Sequence, residues 1–478
     1  MSRTILKPLT TQPGLESLRM ELPEWLPRQR WFGAKTRAIA SVEIIDWVAL
    51  ATAVMVVVEV LYAEGGVDTY QLPLAIATVD GIQDSTGNEQ FRQALLKLIE
   101  GEVTLELHNG GTLCAHGYAE LRGQQPLTAK VSKAEQSNTS IIFGDKMILK
   151  LFRRLQPGEN PDVEIGRFLT EVAHFPHIPA LLGEITLRQS GEEKTYLAML
   201  QGLVANEGDG WQWTLDELAR FYTTPDPLGQ RQSSYLEAAA LLGQRTAQMH
   251  LALATETSDA AFRSEPLTAT ELTEDAQRIR TEIALALDAL KQALPSLEGN
   301  VADDAATILR NRAELLAQAD VILSEHPSGR IIRIHGDYHL GQILRTTDDF
   351  VILDFEGEPA RSLAERRAKR CPLKDVAGML RSFSYAAWTG LDHRQALLPQ
   401  LQLWQDAVSS RFLNAYRESI AAQPDLLPQP ALADSLLRAY LLEKACYELL
   451  YELNNRPAWV TIPIAGLLGL LVPNSATE

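Results

Sequence analysis

One segment of the chain, residues 331–358, constrains the fold more than any other. It reads IIRIHGDYHLGQILRTTDDFVILDFEGE, and two short apolar runs at 331–334 and 350–353 enclose a polar loop. The runs have the composition of buried strands, whereas apolar residues recur at three- and four-residue spacing on both sides of the segment. The pattern therefore predicts a strand–loop–strand unit set in a helical domain. The flanking helices are predicted at 235–254, 270–294, 302–323, 373–388, 398–421 and 432–453.

Three polar side chains stand at defined points of this unit. Asp337 lies in the loop after the first run, Gln342 follows in the same loop, and Asp354 ends the second run. Phosphoryl transfer requires a carboxylate beside the attacking hydroxyl and oxygen ligands for magnesium. Asp337 is therefore the candidate base, and Gln342 and Asp354 are the candidate Mg²⁺ ligands.

The spacing of these residues matches the protein-kinase pattern of an Asp, a metal-binding amide and an Asp-Phe pair. The chain differs from it by Gln342 in place of Asn and by Glu356 in place of Gly. Taken alone, His335-Gly336-Asp337 is better explained as a turn, and Asp354-Phe355-Glu356 as the end of a strand. Their combination in one strand–loop–strand unit favours the kinase interpretation.

The residues that precede this helical region are rich in strand patterns. We predict strands at 42–50, 54–61, 69–79, 127–133, 140–143, 146–152, 185–187 and 195–200, and helices at 88–100 and 162–172. Strands, one helix and further strands are the order of a kinase N-lobe. The prediction is an α+β, protein-kinase-like bilobal fold, with a cap subdomain at 1–105, an N-lobe at 106–204 and a helical C-lobe at 205–478.

A lysine in the N-lobe is expected to contact the phosphates of ATP. Lys150 lies in the strand-like run MILKLF, after a predicted hairpin turn and before a helix, although a solvent-facing lysine would look the same. Glu164 and Glu171 of the next helix are candidates to pair with it, and we favour Glu164. Gln201 is a further nucleotide-binding candidate. The preceding loop can cover phosphates through backbone N–H groups or form a plain polar hairpin, and comprises Gln136, Ser137, Asn138, Thr139 and Ser140.

The charge balance limits the partners of this chain. Asp and Glu exceed Lys and Arg by 61 to 44, for a net charge of -17. Such an acidic chain is not expected to bind nucleic acid or an anionic membrane. The three cysteines form no CxxC pair, and no apolar stretch has the length of a signal peptide or a membrane span. We therefore expect a cytoplasmic protein.

Several segments resemble maltokinases, either free-standing or associated with trehalose synthase, within the aminoglycoside phosphotransferase and protein-kinase-like superfamily. They are WLPRQRWFGAK, EQSNTS, LKLFRR, HGDYHLGQIL, DFEGEPARSLAERR, PLKDVAGMLRSFSYAA and EKACYELLYELNNRPAW. The resemblance implies transfer of the γ-phosphate of ATP to the anomeric hydroxyl of maltose, giving maltose 1-phosphate for glycogen synthesis. It also implies that a trehalose synthase is a partner, that Asp337 is the base, and that Gln342 and Asp354 hold Mg²⁺.

A disaccharide site needs polar groups for hydroxyls and aromatic faces for rings, and the segment 443–459 offers both. From spacing alone, core tyrosines and the i,i+4 surface ion pairs Lys444–Glu448 and Glu452–Arg456 are the better explanation. The resemblance favours a sugar site. The candidate sugar-binding residues are His335, Glu356, Arg381, Lys444, Tyr447, Glu448, Tyr451, Glu452, Arg456 and Trp459.

Two other functions are compatible with the motifs. A related kinase would act on an amino sugar or an aminoglycoside, and unpaired carboxylates in its site would favour such a cationic acceptor. Lys444 and Arg456 instead point to a neutral sugar. A kinase-like binding module without activity is the other alternative, and the presence of Lys150, Asp337 and Asp354 argues against it.

Overall fold

The computed structural model describes residues 10–77, 81–118, 121, 127–132, 137–189, 191–223, 230–391 and 397–471. The chain folds as two compact units. The first comprises Met1–Thr170 and Pro179–Ala205, and the second comprises Glu171–Ile178 and Asn206–Glu478. The further division into a cap and an N-lobe at residue 105 stays a prediction.

The first unit contains two antiparallel sheets and helices that pack on them. The first sheet has the order β1-β2-β3-β10, with β4 paired to β3, and the second has the order β5-β6-β11-β12-β9-β8-β7. The elements of this unit are α1 (Gln12–Trp25), β1 (Ile39–Leu50), β2 (Ala53–Tyr62), β3 (Val67–Ala77), β4 (Gly81–Asp84), α2 (Glu89–Glu100), β5 (Thr104–Glu106), β6 (Thr112–Gly117), β7 (Ala129–Val131), β8 (Thr139–Phe143), β9 (Met147–Leu151), β10 (Arg154–Leu155), α3 (Pro161–Arg167), β11 (Leu181–Arg188) and β12 (Thr195–Gly202).

The central strand β2 is buried on both faces because its apolar residues are continuous. Successive side chains of a strand point to opposite faces. Val54, Val56 and Val58 accordingly belong to the core that contains residues of α1, whereas Met55 and Val57 belong to the core that contains residues of α2. The sheet therefore separates two hydrophobic cores within the first unit.

The helix predicted at 162–172 is shorter than its apolar pattern suggests. Asn160 caps α3 by accepting hydrogen bonds from the backbone N–H groups of Asp162 and Val163, and Pro161 occupies the first turn. After Arg167 the chain continues as a π-helical turn, Phe168–Val172. Helix α1 and the strands β5 and β6 are further elements without a predicted counterpart.

The second unit is mainly helical, as predicted. Helix α5 packs against α11, and α12 packs against α6, α10 and α13. The elements are α4 (Gly210–Thr223), α5 (Gln230–Leu253), β13 (Glu265–Pro266), α6 (Ala269–Ala293), α7 (Gly299–Arg310), α8 (Arg312–Asp320), β14 (Arg330–Ile331), β15 (Ile343–Arg345), β16 (Phe350–Ile352), α9 (Leu363–Arg367), α10 (Leu373–Leu391), α11 (Leu398–Ile420), α12 (Pro430–Asn455) and α13 (Thr461–Leu471).

Two predicted elements of this unit differ from the structure. The helix predicted at 302–323 is split into α7 and α8 because Asn311 adopts a non-helical conformation, with φ -95° and ψ 17°. The first strand of the strand–loop–strand unit is reduced to β14, which pairs with β13, and β16 pairs with β15. Among the described residues, no helix has the length and apolarity needed to span a membrane.

Candidate active site

The loop that carries Asp337 is held by a buried carboxylate from the helix α10. Asp375 accepts hydrogen bonds from the backbone N–H groups of His335, at 2.8 Å, and Gly336, at 2.9 Å. Its Oδ2 also lies 3.2 Å from Nε2 of His250, which is itself fully buried. Burial by itself raises the pKa of Asp375, but these hydrogen bonds outweigh it and lower the pKa below its ordinary value. Asp375 therefore stays ionised and fixes the path of the loop.

His335 has a structural place in this loop, which corrects its prediction as a sugar-binding residue. Its side chain is buried, and its Nε2 lies 2.8 Å from the carbonyl oxygen of Leu353. The ring packs on Tyr338 and Phe355. Because the side chain is buried and its Nε2 is engaged, His335 ties the loop to the end of β16 and is not open to a substrate.

Asp337 is ion-paired with a lysine of α12. Lys444 Nζ donates to Oδ1 of Asp337 and to Oε1 of Glu358, at 2.9 Å in both cases. Burial by itself lowers the pKa of Lys444, but the two carboxylates outweigh it and raise the pKa above its ordinary value. Burial likewise raises the pKa of Glu358, yet Lys444, Lys374 and Arg361 hold it at about 2. The ammonium therefore remains charged and fixes the Asp337 carboxylate.

The two predicted metal ligands lie side by side. Nε2 of Gln342 is 3.2 Å from Oδ2 of Asp354, and the backbone N–H of Leu353 donates to the carbonyl of Gln342 at 2.9 Å. Asp354 has a left-handed backbone conformation, with φ +64°. Non-glycine residues in this region are uncommon and concentrate at functional sites. A carboxylate and an amide oxygen from these two residues fit the oxygen-ligand preference of Mg²⁺.

A cavity of about 480 Å³ lies entirely within the second unit and reaches Asp337. Its volume falls in the range of small-molecule sites, about 300–1,000 Å³. Five aromatic side chains and several polar groups form its wall. The lining residues are Trp211, Asp337, His339, Gly341, Pro359, Gly378, Ser382, Tyr385, Lys444, Tyr447, Glu448, Tyr451, Glu452, Arg456 and Trp459. We call it the acceptor cavity.

The acidic residues of the acceptor cavity have cationic partners. Glu448 accepts from Arg381, with a closest nitrogen–oxygen distance of 2.5 Å. Glu452 is almost fully buried, accepts from the Tyr385 hydroxyl at 2.6 Å and is paired with Arg456. The carboxylates are thus fixed in orientation and their charge is neutralised.

Most of the predicted sugar-binding residues border this cavity. They are Lys444, Tyr447, Glu448, Tyr451, Glu452, Arg456 and Trp459. Arg381 was predicted as a direct contact, but only 6% of its side chain is exposed, behind Glu448. It therefore orients a carboxylate instead of lining the cavity. Glu356 also does not belong to the lining, within the described part of the chain.

The structure adds residues that the sequence did not single out. Trp211 and Tyr385 lie on separate helices, and Tyr385 stacks on Trp459 at a centroid distance of 6.4 Å. No local pattern distinguishes these aromatics from core residues. Glu358, by contrast, ends the segment 331–358 and closely follows Asp354-Phe355. This position could have identified it as a site residue.

The first unit contains the residues predicted to bind the nucleotide. Lys150 Nζ lies 3.4 Å from Oδ2 of Asp162, which was not among the predicted partners of this lysine. The backbone N–H of Asp162 donates to the capping residue Asn160 at 2.9 Å, which holds Asp162 at the first turn of α3. Glu164 is buried two residues further along, and its pairing with Lys150, preferred over Glu171, stays a prediction.

The remaining predicted nucleotide residues differ in exposure. Thr139 is buried, and its hydroxyl accepts a hydrogen bond from Arg153 Nε at 2.8 Å, so this side chain contributes to packing within the first unit. Ser140 is buried opposite Lys150 in the β8–β9 register, and Gln201 pairs with Ile148 near the end of β12. Ser137 and Asn138 form a bend before β8. Gln136 lies outside the described residues.

Comparisons with known proteins agree with the kinase-like architecture. Residues 25–86 match a family model described as the maltokinase N-terminal cap domain. A glucosamine kinase of Streptacidiphilus jiangxiensis is 28% identical over 340 residues, covering 70% of this chain and 72% of that protein. A glucosamine kinase of Mycolicibacterium smegmatis is 24% identical over 412 residues, covering 84% and 94%.

A solved structure extends the comparison to the fold. The chain is similar to a glucosamine kinase in complex with glucosamine, ADP and inorganic phosphate, with a TM-score of 0.70 and 22% identity over 94% of this chain and 99% of that chain. The fold class is therefore the one predicted, an α+β, protein-kinase-like fold. The cap resembles that of maltokinases, whereas the similarity over most of the chain is to glucosamine kinases.

Proposed function

We propose that the protein is an ATP-dependent sugar kinase whose acceptor is maltose. The observation that carries the proposal is the position of Asp337. Its carboxylate, fixed by Lys444, borders a cavity that is lined by aromatic rings and by charge-neutralised polar groups. A carboxylate at the edge of a sugar-sized cavity is the arrangement that phosphorylation of a sugar hydroxyl requires.

In the proposed reaction Asp337 accepts a hydrogen bond from the acceptor hydroxyl and takes its proton as the oxygen–phosphorus bond forms. The bond between the β,γ-bridging oxygen and the γ-phosphorus breaks, and ADP leaves with the bonding electrons. Phosphoryl transfer passes through a loose transition state with little covalent assistance. Positioning by Lys444 therefore contributes more than a strongly basic carboxylate would.

The nucleotide side of the reaction is assigned to five residues. Lys150 would neutralise phosphate charge, with Asp162 as its ion-pair partner. Backbone N–H groups at Ser137 would cover the phosphates. Gln342 and Asp354 would hold Mg²⁺, which supplies positive charge to the transferring phosphoryl group.

Two features of the acceptor cavity favour maltose. Glu448 and Glu452 are each paired with an arginine. The wall that these two residues form therefore has no carboxylate of uncompensated charge for a cationic ligand. The cavity volume of about 480 Å³ also exceeds what one pyranose ring fills. Trp459 and Tyr385 offer stacked aromatic faces for a second ring. The cap match to maltokinases supports the same acceptor, and on that resemblance a trehalose synthase stays a proposed partner.

Glucosamine is the second candidate acceptor. The two curated relatives that cover most of the chain act on glucosamine according to their names. A glucosamine ammonium group would need a carboxylate that is free to bind it. Glu448 could serve only by giving up part of its contact with Arg381.

A coupled ADP-release assay distinguishes the two acceptors. The full chain is incubated with Mg-ATP and maltose, glucose, glucosamine or trehalose, with Asp337→Asn as the inactive control. We expect turnover with maltose, weaker turnover with glucose, and none with trehalose, which has no free anomeric hydroxyl. If glucosamine is turned over in preference to maltose, glucosamine becomes the acceptor and the proposal of a sugar kinase stands. The absence of turnover with every sugar would contradict the kinase proposal.

A further inference from the structure

A second cavity lies behind the catalytic loop, also within the second unit. It has a volume of about 40 Å³ and shares no lining residue with the acceptor cavity. Five basic side chains border it, together with the backbone of Gly336 and Gly357. We call it the basic cavity, and its basic residues are Arg278, Arg361, Arg366, Arg370 and Lys374.

The acidic side chains that line the basic cavity are bound to other groups. Glu358 accepts from Lys444 at 2.9 Å and from Arg361 at 3.2 Å. Glu365 caps the helix α9 and accepts from the backbone N–H and the hydroxyl of Ser362, at 2.9 and 2.7 Å. Neither carboxylate is thus free to satisfy the remaining donors.

Acidic residues outside the lining neutralise only part of the basic cluster. Glu443 pairs with Lys374 and Arg278, and Asp275 also pairs with Arg278. Glu282 pairs with Arg361 at 3.0 Å. The side chain of Arg370 has no hydrogen bond or ion pair within the described part of the chain, and its charge acts only at longer range on Asp275 and Glu365.

One donor at this cavity, Nε of Arg278, is buried without a hydrogen-bond partner in the described structure. The Arg370 guanidinium also borders the cavity and is half-buried. A buried donor left without a partner costs about 1–3 kcal/mol, and more when it is charged. A small anion in the basic cavity would remove this cost.

We propose that the basic cavity binds a small tetrahedral oxyanion of the phosphate class, either inorganic phosphate or the phosphoryl group of a phosphate monoester. The volume of about 40 Å³ holds about three water-sized groups, which suits one such anion and excludes a nucleotide. Arginine side chains match phosphate oxygens with paired hydrogen bonds. Gly357 has a φ of +72° and no side chain at this wall, where an added Cβ would meet the Arg366 side chain at 3.3 Å.

The position of the basic cavity connects its occupancy with the catalytic loop. Gly336 precedes Asp337, and Glu358 both lines the basic cavity and accepts from the lysine that holds Asp337. A bound anion would compete with Glu358 for Arg361. Glu358 thus connects the basic cavity with the proposed base through Lys444, although the basic cavity lies outside the acceptor cavity.

The test is calorimetric titration of inorganic phosphate into the full chain without nucleotide, at fixed ionic strength. Arg370→Gln removes the unpaired guanidinium, and Arg366→Gln is a second variant of the same cavity. Arg417→Gln removes an exposed arginine elsewhere in the second unit and serves as the matched control. Lys150→Ala tests whether phosphate binds at the proposed nucleotide site instead.

We expect saturable binding that both cavity variants weaken by about tenfold or more, and that Arg417→Gln and Lys150→Ala leave unchanged. Circular dichroism checks that each variant is folded. Glucose 1-phosphate is titrated in parallel, and its binding would extend the ligand to monoesters. Three results would overturn the proposal: no saturable phosphate binding, wild-type affinity in both cavity variants, or loss of binding in Lys150→Ala alone.

Discussion

Replacement of Lys444 by Met tests the arrangement on which the proposed site depends. The side chain bridges Asp337 and Glu358 at 2.9 Å each and is 18% exposed. Methionine has a similar length and retains the apolar part of the side chain, but it has no charge and no donor. Asp337 would lose the group that fixes it, and Glu358 would keep Arg361 as its partner.

The structure sets the expected loss of stability. The pKa of Glu358 is about 2, against an ordinary value of 4.5, and 1.36 kcal/mol per pKa unit gives about 3 kcal/mol of stabilisation of the ionised carboxylate. Because the pKa in the folded state is the lower one, this stabilisation is present above about pH 4.5 and is lost as the pH falls toward 2. Without Lys444 the pKa of Glu358 rises. We expect Lys444→Met to lower the free energy of unfolding by about 2–4 kcal/mol at pH 7.

The measurement is urea unfolding of the wild type and Lys444→Met at pH 7 and at pH 3, with steady-state kinetics on the same preparations. The difference in unfolding free energy should shrink at pH 3, where Glu358 of the variant is mostly protonated. We expect kcat to fall by about 10²-fold because Asp337 is no longer positioned. Lys291→Met, at an exposed position, is the control. Unchanged stability and kcat in Lys444→Met would refute the reasoning.

Three further substitutions test individual assignments. Asp337→Asn should retain the fold and nucleotide binding but lower kcat by about 10²–10⁴-fold, and near-wild-type turnover would remove Asp337 as the base. Asp354→Ala should abolish Mg²⁺-dependent ATP binding in calorimetry, whereas Gln342→Asn, which keeps an amide oxygen, should retain part of it; equal binding in Asp354→Ala and the wild type would exclude the metal assignment. Glu448→Gln should raise the KM for maltose by about tenfold or more with the KM for ATP unchanged, and a change confined to the KM for ATP would place Glu448 outside the acceptor site.

The parts of the fold that local sequence patterns determine were predictable. Strand β2 and helix α12 have long apolar patterns, and the structure contains both close to their expected bounds. The proposed metal and base residues Asp337, Gln342 and Asp354 lie within one short segment. The structure places Gln342 beside Asp354, as the pattern of the loop and the second strand suggested, whereas the first predicted strand is reduced to β14.

Contacts between distant parts of the chain could not be predicted from spacing. Lys444 and Asp337 are 107 residues apart, and Arg381 and Glu448 are 67 apart. Lys444 and Glu448 lie four residues apart on α12, but Lys444 pairs with Asp337 and Glu358, and Glu448 pairs with Arg381 of α10. Asp375 likewise holds the loop of Asp337 through the backbone N–H of His335, 40 residues earlier in the chain. The pairing of charged side chains is determined by tertiary packing. These pairs in turn set the charge of the proposed site.

The position of the phosphate on the product tests the central claim most directly. The full chain is incubated with Mg-ATP and maltose, and the product is analysed by ³¹P and ¹H NMR. The proposed function predicts one product with the phosphorus coupled to the anomeric proton, which identifies maltose 1-phosphate. Phosphate on a different hydroxyl of maltose, or product formation only from glucosamine, would contradict the assignment of maltose as the acceptor.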